Sequence, residues 1–314
     1  MADRKLKTAI QTQGHTSALK DGAVRAKSFD FEFEEVPAII QAFRRMVRGL
    51  EFDISEMAIT TYICAKEHGK KFTALPIFLV RAFHHGAILV NTKLIREPKD
   101  LVGKEVGVNR GYTVTTGVWA RGILQHQYGV DLNKITWVLS GDEHVAEYRP
   151  PANVVPIAAG KKMEDMVIAG EIAGAIGVDI KHPDVKPLIP DAAEAGFAAL
   201  KRDGHYPINH TLVVKDELLR AQPGLARDIF DAFNEAKRRY IEQLKSNAIA
   251  EPNRNDQLYK RVMEITGKDP LPYGVAGSRA MIEAVIQYAQ EQKIVTRPFT
   301  VDELFPATAQ GIAE

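Results

Sequence analysis

The 314-residue chain has a single cysteine, Cys64, so no disulfide can form within it. Cys64 lies in Thr60-Thr61-Tyr62-Ile63-Cys64-Ala65, which reads as a buried helix face with the thiol as a small core residue. An excess of charge of either sign is also lacking: 41 Lys and Arg stand against 40 Asp and Glu, leaving +1. That balance gives no electrostatic case for nucleic acid or an anionic membrane surface. No run reaches the ~18 apolar residues of a spanning helix. The charged start, Met1-Ala2-Asp3-Arg4-Lys5-Leu6-Lys7, has neither the apolar segment nor the cleavage site of a secretory signal. The expectation is a cytoplasmic protein that begins at or near Met1. Several chemistry-bearing motifs are missing too. There is no Gly-x-Gly-x-x-Gly, no Walker loop, no Gly-x-Ser-x-Gly, no His-Glu-x-x-His, no cysteine pair and no calcium loop. These absences count against dinucleotide enzymes, serine hydrolases and metal sites of recognisable spacing, and leave a divalent metal on scattered ligands open.

What is present is a globular balance, 45% apolar and 26% charged, in a length that suits two compact lobes. Strand-like runs alternate with helical patterns. Leu6–Thr12, Phe52–Ile54, Phe72–Phe78 and Ala87–Asn91 read as strands. Val36–Arg48 carries apolar residues at helical spacing, and Ser55 reads as the cap of a helix running to about His68. After the charged turn Arg96-Glu97-Pro98-Lys99-Asp100 a second series begins: strands at Glu105–Asn109, Ile135–Leu139 and Ala173–Val178, and helices at Thr115–Tyr128 and Met163–Ala169. From Leu212-Val213-Val214 the chain passes into helices at Pro223–Ser246, Asp256–Thr266 and Ser278–Gln292. This alternation predicts an α/β protein with mostly parallel sheets. It places lobe one at residues 1–100 plus 212–314 and lobe two at 101–211, with the carboxyl ends of the strands facing a shared cleft. The apolar positions of the C-terminal helices fit either a core or a contact between copies, so a homo-oligomer stays open.

Candidate site residues follow from that frame. Asn109-Arg110-Gly111-Tyr112-Thr113-Val114-Thr115-Thr116-Gly117-Val118-Trp119 follows a strand and opens a helix. Free N–H groups, threonine hydroxyls and the Arg110 fork suit it to a carboxylate, against the plainer reading of a threonine cap with a surface arginine. In Arg81-Ala82-Phe83-His84-His85-Gly86, adjacent histidines in extended chain point to opposite sides, so at most one of His84 and His85 faces a given cleft. Ser55 and Glu56 stand at a strand end; the plain reading is a cap and a first-turn acid favoured by the helix dipole. His15 after the first strand, His210 before the returning strand and Asp179 after Val178 are further strand-end candidates. Asp142-Glu143-His144 reads as a solvated loop.

Taken together, Arg81-x-Phe83-x-His85, Trp119-Ala120-Arg121-Gly122-Ile123-Leu124 and Tyr206-Pro207-Ile208-Asn209-His210-Thr211 resemble the 4,5-dihydroxyphthalate decarboxylase family, as do Gly170-Glu171-Ile172 and the stretch from Tyr273 to Phe305. The resemblance implies a two-lobed, venus-flytrap fold of the type II periplasmic-binding-protein kind. It implies a carboxy-lyase acting on a hydroxylated aromatic acid, 4,5-dihydroxyphthalate going to protocatechuate, with a small aromatic carboxylate as its partner and no organic cofactor. A hydroxyl para to the carboxylate lets the ring carbon accept a proton before CO2 leaves. On that scheme His85 is the expected proton donor. Glu56, His15 or His210 engage the hydroxyls. Arg81, Arg110, Thr113, Thr115 and Thr116 hold carboxylates, with Ser55, His84, Tyr112, Trp119 and Asp179 lining the substrate. The competing reading is a solute-binding or sensor protein for an aromatic acid on the same fold, because a fold does not settle a function. A pyrimidine-precursor synthase on this fold would carry a cysteine-rich metal segment, which one cysteine disfavours.

Overall fold

The computed structural model describes residues 4–306. Met1–Asp3 of the charged start and residues 307–314 of the expected first lobe lie outside the described residues. The strands are β1 (Lys5–Ala9), β2 (Asp30–Phe33), β3 (Ile54–Ala58), β4 (Phe72–Arg81), β5 (Ile88–Asn91), β6 (Glu105–Val108), β7 (Thr136–Leu139), β8 (Val154–Pro156), β9 (Gly174–Ile176), β10 (Val185–Pro187) and β11 (Ile208–Lys215). The helices are α1 (Ser17–Lys20), α2 (Ile39–Gly49), α3 (Ile59–Glu67), α4 (Thr115–Tyr128), α5 (Met163–Ala169), α6 (Ala192–Asp203), α7 (Asp216–Ala221), α8 (Leu225–Lys245), α9 (Arg254–Thr266), α10 (Arg279–Glu291) and α11 (Val301–Leu304).

Two sheets result. The first has the order β2-β1-β3-β11-β4, with β1 parallel to β2 and β3, and β11 returning antiparallel between β3 and β4. The second has the order β10-β5-β9-β6-β7-β8; β6, β7, β8 and β9 pair in parallel and β5 runs antiparallel to β9 and β10. Helices cover these sheets, as crossover connections require.

The sheets relocate the lobe boundary. It was expected in the charged turn near residue 100, but β5 already belongs to the second sheet through β9 and β10. The chain leaves the first sheet after Arg81 and crosses through the short 3-10 turn His85–Ala87. The turn at Pro98–Leu101 lies inside the second lobe, closed by a capping box between Glu97 and Asp100. The return also comes earlier than expected, with β11 pairing from Ile208 rather than Leu212.

A second correction concerns Ser55 and Glu56. Both lie in β3, and α3 begins only at Ile59. Every residue of β3 is buried, so the strand has no polar alternation to announce it. Ser55 donates its hydroxyl to the Glu56 carbonyl and caps nothing. The expected first-turn acid is a strand carboxylate.

The largest apolar cluster runs through both lobes, from Phe43, Met46 and Tyr62 to Trp119, Leu124 and Trp137, and on to Ile282, Val285 and Tyr288 of α10. The apolar faces of the C-terminal helices are thus buried within the chain. Helix α10 also binds α4 directly. Arg121 Nε donates to Gln292 at 2.8 Å, and His126 stacks on Tyr288 with ring centroids 4.8 Å apart. A Cβ at Gly122 would lie 2.2 Å from the Tyr288 ring, so this crossing needs a glycine. Gly122→Ala is therefore expected to cost ~1–3 kcal/mol by overpacking, read as a lower denaturant midpoint at unchanged slope. Cys64 is fully buried, and burial pushes its thiol pKa up, as an inert core cysteine requires.

Candidate functional site

At the carboxyl ends of the first sheet, Glu56 joins three strands. Its Oε1 lies 2.6 Å from His210 Nδ1, and its Oε2 accepts the Gln11 N–H at 2.8 Å just past β1. Glu56 is completely buried, whereas the His210 side chain keeps 18% of its surface. Strand β11 shifts register between Ile208 and Leu212, and such irregularities re-aim side chains. With both Glu56 oxygens accepting, the Nδ1 of His210 carries a proton. Its Nε2 has no hydrogen-bond partner among the described residues. The pair is an oriented imidazole whose outer nitrogen is free for proton transfer. The Phe43 ring stands edge-on to both His210 and His144, at 5.0 and 6.1 Å between centroids, and links the pair to the opposite lobe.

On that lobe the loops after β6, β7 and β9 interlock. Asn109 Nδ2 donates to the Gly177 carbonyl at 2.7 Å, and the Arg110 N–H donates to Ser140 Oγ at 2.7 Å. Arg110 is held at φ 71°, a left-handed conformation that costs a non-glycine residue of order 1–3 kcal/mol. Its guanidinium is exposed and has no hydrogen-bond or ion-pair partner among the described residues.

The next residues form a nest for an anion, and the chain itself fills it. Glu143 accepts the Tyr112 N–H at 2.5 Å, the Thr113 N–H at 3.2 Å and the Thr113 hydroxyl at 2.6 Å. The loop read as solvated is therefore half inside the site. Its neighbour His144 is buried, 3.0 Å from Thr61 Oγ1. Asp142 bridges the lobes through Arg44 at 2.8 Å and Arg48 at 2.9 Å. Thr115 meets Thr60 of α3 hydroxyl to hydroxyl at 2.8 Å, so the amino ends of α3 and α4 face each other across the lobes.

The remaining candidates scatter. His85 bonds Gln127 at 2.9 Å, near the far end of α4. Twelve residues separate Gln127 from Thr115, about 18 Å at ~1.5 Å per residue. His85 therefore stands at the end of α4 opposite the nest. His84 bonds Asn209, the neighbour of His210, at 2.9 Å. Arg81 is buried and spends its guanidinium on the Tyr206 carbonyl and Ser278, and burial lowers its pKa to about 10. Trp119 donates to the Ile208 carbonyl at 2.9 Å and packs in the core. Thr116 and exposed Asp179 stand at the lobe-two rim, Thr116 3.8 Å from the Cβ position of Gly177.

His15 is fully buried beside α8, with its ring 6.0 Å from that of Tyr240 and the Leu79 backbone beside it. Burial lowers its pKa to about 4 although the Glu56 carboxylate opposes the shift. Among the described residues no group of three or more His, Cys, Asp or Glu is arranged to hold a metal ion. No helix there is long and apolar enough to cross a membrane.

Two sheets with helical crossovers, with the Glu56–His210 pair and the nest at their carboxyl ends, define the periplasmic-binding-protein-like fold, and solved structures agree. The periplasmic aliphatic sulphonate binding protein SsuA from Escherichia coli matches 96% of this chain and 97% of its own, with a TM-score of 0.56 at 12% identity. The desulfurization enzyme DszB matches 98% of each chain with the same TM-score and identity. These likenesses establish the fold alone. No protein-family model matches the chain. The chain is 29% identical, over an alignment of 332 positions that covers 99% of each partner, to a curated 4,5-dihydroxyphthalate decarboxylase from Comamonas testosteroni. The resemblance read from the motifs thus holds along the whole length.

Proposed function

We propose that the protein is a carboxy-lyase that converts 4,5-dihydroxyphthalate to protocatechuate and CO2. The full-length likeness to the curated decarboxylase carries this reading. The Glu56–His210 pair supports it by supplying a placed proton donor at the cleft.

In the substrate each carboxylate has a hydroxyl para to it. His210 Nε2 delivers its proton to the ring carbon that bears one carboxylate. The para hydroxyl feeds electrons into the ring and stabilises the protonated intermediate. The bond to the carboxylate then breaks, its electrons return to the ring, and CO2 leaves. One proton enters for each CO2 lost, and the electron source is the substrate itself, so the scheme needs no organic cofactor. Glu56 keeps His210 oriented through its Nδ1. We assign His15, held neutral by burial, as the acceptor facing a ring hydroxyl. Arg110 and the nest at Gly111–Thr113 hold the carboxylates, and lobe closure excludes water. The donor in this scheme is His210 and not His85, because His85 bonds Gln127 at the end of α4 opposite the nest that holds the carboxylates. The same reading places the protein in the cytoplasm.

Purified protein mixed with 4,5-dihydroxyphthalate is expected to release CO2 and protocatechuate in equal amounts, and to do so after treatment with a chelator. Turnover lost on chelation and restored by a divalent metal would replace the metal-free scheme. Tight binding of the acid with no product would establish the solute-binding reading instead.

A further inference from the structure

The Glu143 carboxylate is seated as a ligand would be. It takes two backbone N–H groups and one hydroxyl from Tyr112 and Thr113, and makes no ion pair among the described residues. The cradle is shaped for it: a Cβ on Gly111 would lie 2.5 Å from Oε2, 2.7 Å from the carboxyl carbon and 2.9 Å from Oε1. The surroundings carry more positive charge than one internal carboxylate uses. The Arg110 guanidinium stands unpaired at the rim. Behind the nest, Arg121 is fully buried without a carboxylate partner. Its guanidinium lies 3.8 Å from the Tyr112 ring centroid, its Nη2 donates to the Tyr112 carbonyl at 2.6 Å, and its Nη1 has no partner. A buried guanidinium is costly unless an anion comes near, and the Glu143 carboxylate in the nest is the negative charge that acts on it.

The residue that fills the nest also sits on the strap between the lobes. Arg48 donates to the Glu143 and His144 carbonyls at 2.8 and 3.2 Å, beside the ion pairs to Asp142. Withdrawing Glu143 from the nest therefore moves the segment that ties α2 to the second lobe.

We infer that Glu143 is an internal stand-in for a substrate carboxylate, which the substrate must displace to bind, and that it sets the specificity of the site. This inference rests on the aromatic-carboxylate reading above. A tethered competitor acts at an effective concentration of order millimolar, and the apparent affinity of any ligand is reduced by the fraction of nests already filled. An aromatic acid with a second carboxylate recovers through Arg110 what the displacement costs. A monocarboxylate does not, and is rejected.

The test uses the intact chain and two probes. Phthalate, which lacks the activating hydroxyls, is titrated calorimetrically against wild type and Glu143→Ala. Acetate is added while thermal unfolding is followed. The variant is expected to bind phthalate about tenfold tighter or more, and benzoate also. Acetate is expected to raise its unfolding midpoint while leaving wild type unchanged. Adding Gly111→Ala, which fills the cradle, is expected to abolish the acetate response. If Glu143→Ala does not fold, Glu143→Asp draws the carboxylate back by one methylene and is expected to show the same gain. Phthalate binding unchanged or weaker, with acetate inert, would overturn the inference and leave Glu143 a structural cap. Failure of the decarboxylase reading shows separately, as no CO2 from wild type, because the acetate response requires no turnover.

Discussion

Replacing His210 by glutamine is expected to lower kcat for 4,5-dihydroxyphthalate about a thousandfold, since a placed general acid is worth about 10²–10⁴. Phthalate affinity should stay within about threefold, because the proton is delivered only in the transition state. Glutamine keeps the reach of the side chain and can still bond Glu56, but has no proton to give at neutral pH. Glu56→Gln tests the positioning role and has a different signature. Glu56 accepts from His210 on one oxygen and from the Gln11 N–H on the other. An amide can satisfy only one of them and turns its NH2 against the other donor. A buried donor left unpaired costs ~1–3 kcal/mol, so this variant should lose stability as well as rate. His85→Ala is expected to keep turnover within about tenfold of wild type, because its ring bonds Gln127 at the end of α4 opposite the nest. A large loss of kcat in His85→Ala, with His210→Gln active, would return the donor role to His85.

The parts of this site that were legible in the sequence are those fixed by local rules. Thr115–Tyr128 reads correctly to the residue because its apolar period ends at Gly129, which takes the left-handed cap. The Arg110–Thr116 loop reads as an anion site because a strand, a glycine and threonines precede a helix. What occupies it does not read, since Glu143 is far along the chain and Asp-Glu-His has the composition of a surface loop. Glu56 was picked out for a reason that does not hold: Ser55 imitates a helix cap, and a strand buried on both faces shows no alternation to contradict it. Helix α6 was missed because Ala192-Ala193-Glu194-Ala195-Gly196 offers little apolar period, and Gly196 is needed where a Cβ would meet Phe83 at 2.6 Å. The edge strands β2, β8 and β10 have only three or four residues and depend on their neighbours for pairing. The adjacency of His84 and His85 suggested one cleft residue between them. Sequence says nothing of Asn209 and Gln127, the tertiary partners that claim the two rings.

Stability is expected to fall steeply between pH 6.5 and 4. His15, His84, His144 and His205 are all buried, and burial is the leading cause that lowers each pKa from 6.5 to about 4. In that interval the unfolded chain binds protons at these positions and the native protein does not. The slope of unfolding free energy with pH is then positive, so acidification destabilises. Each histidine contributes up to about 1.4 kcal/mol per pH unit while it is titrating only in the unfolded state. Against a typical total of about 5–15 kcal/mol, four such groups remove a large share of the stability by pH 4. The carboxylates act in another window. Glu34, Glu235 and Glu303 are held at about 2 by hydrogen bonds from paired arginines, so their contribution fades only below about pH 4.5. They are exposed and count for little. Urea midpoints measured from pH 7.5 to 4.5 should therefore drop mainly above the carboxylate range. His205→Phe isolates one contributor, since the His205 Nε2 has no partner and its ring packs edge-on to Trp119 at 5.7 Å. That variant should match wild type at pH 7.5 and be more stable than wild type at pH 5. Equal stabilities at pH 5 would mean that His205 is protonated in the native protein, and that the acid sensitivity comes from the other three rings.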